Sequence, residues 1–172
     1  MIIKKKYSHH PSIIETKSEL EKIRLTPYQA TFYKEWALDP FRSDYNMVSD
    51  QLLFGHLDVE RLKLSMARLF NDYLLINSNI ISVDNDFYWI SRGKVGVEDE
   101  VINYYTDAFE EQDLLKMVRE PFDLENDLLF RTIVIQRSPE EYQLIFITPH
   151  ILVVFYETDT AKLITCIVSR KN

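Results

Sequence analysis

The stretch from Leu128 to Val154 constrains this chain more than any other. Two runs rich in β-branched and aromatic residues, Leu128–Gln136 and Tyr142–Thr148, flank a Ser138-Pro139-Glu140 turn. Such runs suit a pleated, half-buried surface, and a proline among polar residues favours chain reversal, so the segment predicts a β-hairpin. The second run continues as Phe146-Ile147-Thr148-Pro149-His150-Ile151-Leu152-Val153-Val154, an apolar strand that delivers one histidine to its C-terminal end. A strand fixes the position of that ring, and apolar surroundings help keep an imidazole neutral, as a general base requires. No Asp, Glu or Ser follows His150 within four residues to orient it or be activated by it. Taken alone, a histidine closing a strand is more often a core or rim residue.

Several function classes are excluded by what the chain lacks. Glycine occurs only at positions 55, 93 and 96, so neither a GxGxxG fingerprint nor a P-loop can be written. A formal net charge of −7 argues against a general nucleic-acid surface. The only basic run, Lys4-Lys5-Lys6, is too short to grip a phosphate backbone. Cys166 stands alone, which excludes an internal disulfide framework and a cysteine-based metal site. No apolar run approaches the roughly 18 residues of a membrane span. The Tyr-Ser-His-His-Pro that follows Lys6 is not the apolar core of a signal peptide, so a cytoplasmic protein is expected. At 172 residues, 46% hydrophobic and 27% charged, the chain can bury a core as one domain or one lobe of a larger one.

Local signals place the other elements. Thr26-Pro27-Tyr28-Gln29 opens a helix: Thr26 can cap, Pro27 suits the first position and Gln29 can reach back. Tyr28, Phe32, Tyr33, Trp36 and Ala37 follow helical spacing, and Asp39-Pro40 ends the run. Met47–Phe54 predicts a strand closed by Gly55. Asp58 caps a second helix whose Leu62, Met66, Leu69, Phe70 and Tyr73 form one apolar stripe, with Leu57 and Leu62 spaced for a staple. Strands are predicted at Asn79–Val83 and Phe87–Ser91 around Asp84-Asn85-Asp86, and a third helix from Thr106 to Arg119. A short helix is expected from Glu15 to Ile23, and a further hairpin within Ile151–Asn172. Irregular alternation of helices and strands predicts an α/β two-layer sandwich, with the Asp58 helix packed on a sheet containing 47–54, 128–136 and 142–148.

Other candidate sites have weaker chemistry. His9-His10 lack a third ligand at suitable spacing, and His56 reads as a solvent-facing turn residue. Glu98-Asp99-Glu100 and Glu110, Glu111 and Asp113 read as solvated surface. Asp123, Glu125 and Asp127 alternate as in calcium loops but lack the turn glycine and the distal Glu. No metal or directly bound cofactor is expected.

Four segments, in order, resemble the N-terminal lobe of a condensation domain from a nonribosomal peptide synthetase. Leu25-Thr26-Pro27-Tyr28-Gln29 resembles the family's Leu-Ser/Thr-x-x-Gln opening. Tyr45-Asn46, the strand to Gly55 and Leu57-Asp58-x-x-x-Leu62 resemble its next run. Pro121-Phe122-Asp123-Leu124 with Leu129-Phe130-Arg131 follows, and His150 then falls where the family carries HHxxxDG. The resemblance spans 25–154, leaving 1–24 as a lead-in and 155–172 as a divergent tail. It implies a chloramphenicol-acetyltransferase-like fold of two lobes around a tunnel. Phosphopantetheine arms of partner carrier proteins enter that tunnel, where an acceptor amine attacks a donor thioester to form an amide in secondary-metabolite biosynthesis. The catalytic second histidine of the motif falls on His150, its first on Pro149, its Asp on Val154 and its Gly on Phe155. The arginine that pairs with that Asp falls on Asn77, so both partners of the brace are replaced together, consistent with the cost of burying one charge unpaired. The pattern is lost after Leu152, and no second lobe follows. The sequence therefore predicts a truncated, inactive half-domain, or else a non-catalytic carrier-protein-binding module. Its uncovered face is expected to drive self-association, with the 151–168 tail covering or pairing that face.

Overall fold

The computed structural model describes residues 22–96, 102–106 and 110–153. In chain order these form β1 (Lys22–Arg24), α1 (Pro27–Leu38), β2 (Asn46–Phe54), α2 (Val59–Asp72), β3 (Ser78–Val83), β4 (Asp86–Ser91) and β5 (Asn103–Thr106). Then come α3 (Glu111–Arg119), β6 (Arg131–Ser138), β7 (Glu141–Pro149) and a single helical turn, α4 (His150–Val153). The helix starts are the ones local chemistry dictates. The Thr26 hydroxyl accepts from the Gln29 backbone N–H at 3.3 Å, and the Gln29 side-chain oxygen accepts from the Thr26 N–H at 3.0 Å. This reciprocal box satisfies donors that a helix start leaves open. Asp58 accepts from the Arg61 N–H at 3.0 Å and does the same for α2.

Two sheets result. β1-β4-β3 is a small antiparallel sheet; β2-β7-β6-β5 is a mixed sheet in which only β5 and β6 run parallel. Parallel neighbours need a crossover, and α3 supplies it between β5 and β6. The side chains of β7 alternate between two cores. Tyr142, Leu144 and Phe146 join Val134 of β6 and Leu62, Met66, Leu69 and Phe70 of α2. Ile145 and Ile147 join Ile133 and Ile135 of β6, Tyr33 of α1, and Ile80 and Trp89 of the small sheet. The predicted helix-on-sheet layering and the three predicted strands of one sheet are present, and the sheet's other face is covered as well. Among the described residues no helix is long and apolar enough to cross a membrane.

Five sequence expectations are corrected. Tyr73 is not part of the α2 stripe; it is the C-cap residue, in extended backbone and 42% exposed. Thr106 does not start the third helix: Tyr104, Tyr105 and Thr106 are strand formers that pair with Val134, Ile135 and Gln136, and α3 begins only after Glu110. On α1 the burial stripe is rotated: Gln29 and Tyr33 are buried, whereas Tyr28 is 53% exposed and Ala37 also faces out. Lys22 and Ile23 pair in a strand with Ile90 and Trp89, so a helix does not continue through them; the rest of Glu15–Ile23 lies outside the described residues. Residues 151–153 form a helical turn where the tail hairpin was expected to begin, and the remaining tail lies outside the described residues.

Met66 is fully buried in the α2 core. Met66→Ala is expected to lower the free energy of unfolding by about 2–5 kcal/mol in urea titrations, through lost transfer energy and a residual cavity. Leu64→Ala on the exposed side of the same helix should change it by no more than about 0.5 kcal/mol.

Candidate functional site around His150

His150 stands where β7 ends. Pro149, paired with Asn46 across β2, is the last strand residue, and the chain turns helical at His150. The turn is pinned by main-chain and side-chain bonds. The His150 N–H donates to the Tyr45 carbonyl at 2.8 Å, and its imidazole stacks on Phe32 of α1, with ring centroids 5.0 Å apart and planes at 22°. One residue on, the Ile151 carbonyl accepts from the Gln29 side-chain amide at 3.3 Å. Gln29 is 1% exposed, and its side-chain oxygen accepts from Thr26 and, at 3.4 Å, from the Trp89 indole N–H. One amide thus ties the start of α1, the small sheet and the turn after His150.

The rest of the cleft is held by similar bonds. Asn46 donates from its side-chain amide to the Val118 and Glu120 carbonyls, at 2.7 and 2.9 Å, and so anchors the C-terminal end of α3. Trp36 donates to the Phe122 carbonyl at 2.9 Å. Arg131 lies 3.8 Å over the Phe122 ring and donates to the Glu120 and Pro121 carbonyls at 2.6 and 2.7 Å. Burial pulls its guanidinium pKa downward, while Glu120 and Asp127 act in the opposite sense. Tyr33 donates to Glu125; burial first, and then that carboxylate, push its phenol well above the usual tyrosine range.

The cleft lined by Phe32, Trp36, Tyr45, Asn46, Phe122 and His150 has a volume of only about 20 Å³, enough for a water and no more. The imidazole Nδ1 is buried and has no hydrogen-bond partner among the described residues. No carboxylate among the described residues is bonded to the ring to fix its tautomer.

The remaining candidates behave as surface or as structure. His56 is exposed in the turn after β2. Glu110 and Glu111 are exposed, and Asp113 pairs with Lys116 at 2.8 Å. Asp123 accepts from the Glu125 N–H and the Asn126 side chain, Asp127 accepts from the Asp123 N–H, and Glu125 is taken by Tyr33. These carboxylates close a turn rather than a cation site, and among the described residues no group of three potential ligands converges. His9, His10, Val154 and Glu98-Asp99-Glu100 lie outside the described residues. Asn77 is buried and donates to the Gly93 carbonyl at 2.5 Å. Beside it, Arg92 arrives from the end of β4, its backbone N–H on the Asn77 carbonyl and its guanidinium on Asn79 at 2.5 Å.

Solved structures share this architecture. A mutant starter condensation domain of rhizomide synthetase matches with a TM-score of 0.67 at 14% identity, over 86% of this chain and 36% of its own. The tallysomycin biosynthesis protein TlmII matches at 0.66 and 15%, over 88% and 39%. The first condensation domain of the calcium-dependent antibiotic synthetase, in complex with a substrate analogue, matches at 0.63 and 14%, over 76% and 34%. The fold is condensation-domain-like. The chain spans little more than a third of the length of these condensation-domain-like neighbours. No protein-family model matches the sequence, and no curated protein does.

Gln29, read from the sequence as a capping residue and part of a family motif, is the main brace of the His150 turn. Gln29→Ala leaves the Ile151 carbonyl and the Trp89 indole without their partner and should cost about 1–3 kcal/mol in chemical denaturation. Amide exchange across 150–152 should accelerate more than in Thr26→Ala, which removes only a cap worth about 1 kcal/mol.

Proposed function

We propose that this chain is one lobe of a condensation-type acyltransferase, carrying His150 as its contribution to amide formation between carrier-bound aminoacyl or peptidyl groups. In that reaction the acceptor amine nitrogen bonds to the thioester carbonyl carbon, the carbon–sulfur bond breaks, the carrier thiol leaves, and the amine loses a proton. His150 Nε2 is the group placed to take that proton. Phosphopantetheine reaches the site on partner carrier proteins as the substrate-bearing arm. Residues 25–154 form the lobe in this reading, between the 1–24 lead-in and the 155–172 tail.

The observation that carries the reading is a histidine fixed at the end of the central strand of a condensation-domain-like sheet. The same surroundings argue that the chain is unproductive by itself. A cleft of about 20 Å³ does not admit a pantetheine arm, and in this reading a second lobe would complete the channel. Among the described residues no carboxylate orients the imidazole, and poor orientation of a reacting group raises a barrier by several kcal/mol. With carrier proteins loaded with donor and acceptor, the chain alone should form no amide product above background, and His150→Ala should behave identically. Product formed by the wild-type chain and abolished by His150→Ala would show that the lobe is catalytic unaided.

The second reading is a module that binds carrier proteins without chemistry. Titration with a phosphopantetheinylated carrier separates the two: saturable binding that His150→Ala leaves intact, together with absence of product even when a complementary second lobe is added, favours the module.

A further inference from the structure

Strand β2 is an edge of the mixed sheet, and among the described residues no strand pairs with its outer side. It pairs with β7 without interruption from Asn46–Pro149 to Phe54–Glu141, so no bulge twists the edge away. Protein edges are usually blunted by lysine, proline, bulges, short length or an inward-pointing charge. Over its nine residues β2 has no Lys, Arg or Pro. Its one charge, Asp50, is exposed and not pointed into the core, and it accepts from the Gln143 amide at 2.7 Å. What the edge offers instead is Val48, Leu52 and Phe54, exposed by 46, 55 and 77%. They have the same parity and so share one face of the sheet.

We propose that β2 pairs antiparallel with β2 of a second copy of this chain, joining the two four-stranded sheets into one continuous sheet. The residues select the register. A two-fold axis between antiparallel strands stands perpendicular to the sheet and keeps like faces together, so residues of equal parity must oppose one another. Full overlap would centre the axis on Asp50 and set its carboxylate against the same residue of the second copy, and like charges directly opposite destabilise a sheet. Moving the axis to Gln51 takes the two carboxylates out of direct opposition to diagonal positions about 7–8 Å apart, which weakens that repulsion. Val48 then opposes Phe54, Ser49 opposes Leu53, and Asp50 opposes Leu52 while keeping its bond to Gln143. Aromatic against β-branched is a favourable cross-strand pair, and here it occurs at both ends of the overlap. The edge is thus self-complementary in its apolar side chains. An overlap limited to 48–54 is small beside the interfaces of permanent dimers, so the association is reversible and concentration-dependent. The proposal does not depend on the catalytic reading.

Sedimentation velocity of the full chain across two decades of micromolar concentration should show a monomer–dimer equilibrium. Val48→Lys with Leu52→Lys should weaken it at least about tenfold, since the lysines guard the edge. The register is tested in a Cys166→Ser background under mild oxidation. Gln51→Cys should form an interchain disulfide, because residues on the axis bring their Cβ atoms to about 4.5–5.5 Å; Ser49→Cys, displaced from the axis, should not. The cysteine pair decides the matter if the lysine variant loses its circular-dichroism signature of folding. A strict monomer throughout, as when the chain's own tail or another polypeptide occupies the edge, overturns the proposal. So does association that the lysine pair leaves unchanged, or cross-linking of Ser49→Cys as readily as Gln51→Cys.

Discussion

Burial of β7 on both faces is the constraint on which the rest of the structure depends. The strand hydrogen-bonds to β2 on one side and β6 on the other, and its alternate side chains feed two separate cores. Because a one-residue slip would exchange the two faces, the register of β7 against its neighbours is tightly specified. Tyr142, Leu144 and Phe146 must meet the α2 stripe, and Ile145 and Ile147 must meet α1 and the small sheet. His150 is placed by this register, since it is the residue at which the doubly buried strand runs out.

The polar groups around that point show how the fold closes. The start of α1 is satisfied locally, but Gln29 uses the remaining capacity of its amide to reach Ile151 and Trp89, far away in sequence. Asn46, Trp36 and Arg131 likewise bond carbonyls between Val118 and Phe122. A helix end leaves its last carbonyls without intrahelical partners, and these bonds take up those at the C-terminal end of α3 and in the loop beyond it. A few side chains with several donors thus set the cleft wall, while the apolar cores set the layers.

These bonds also define what the site lacks. Nδ1 of His150 is enclosed without a partner among the described residues, and Phe32 covers one ring face. The position of Asn77 is filled by an amide bonded to the Gly93 carbonyl rather than by a cation. The nearby cation is Arg92, which comes from β4 and is bonded to Asn79 and to the Asn126 carbonyl. The arrangement keeps the histidine in place, with no carboxylate among the described residues bonded to its ring.

The sequence by itself determined the elements whose causes are local. The Thr26 and Asp58 caps, the α2 stripe of Leu62, Met66, Leu69 and Phe70, the Asp84-Asn85 turn with its positive φ angles, and the β6–β7 hairpin all follow from residues a few positions apart. The motif order around Gln29, Tyr45-Asn46, Arg131 and His150 also made the condensation-domain resemblance legible. Tertiary structure alone decided which of those residues meet. The parallel pairing of β5, the recruitment of Lys22–Arg24 to β4, the end of the α2 stripe before Tyr73 and the Gln29–Ile151 brace all depend on partners distant in sequence. Periodicity reports which face a residue occupies; it carries no information about the group that will stand opposite, because that is set by how the layers pack.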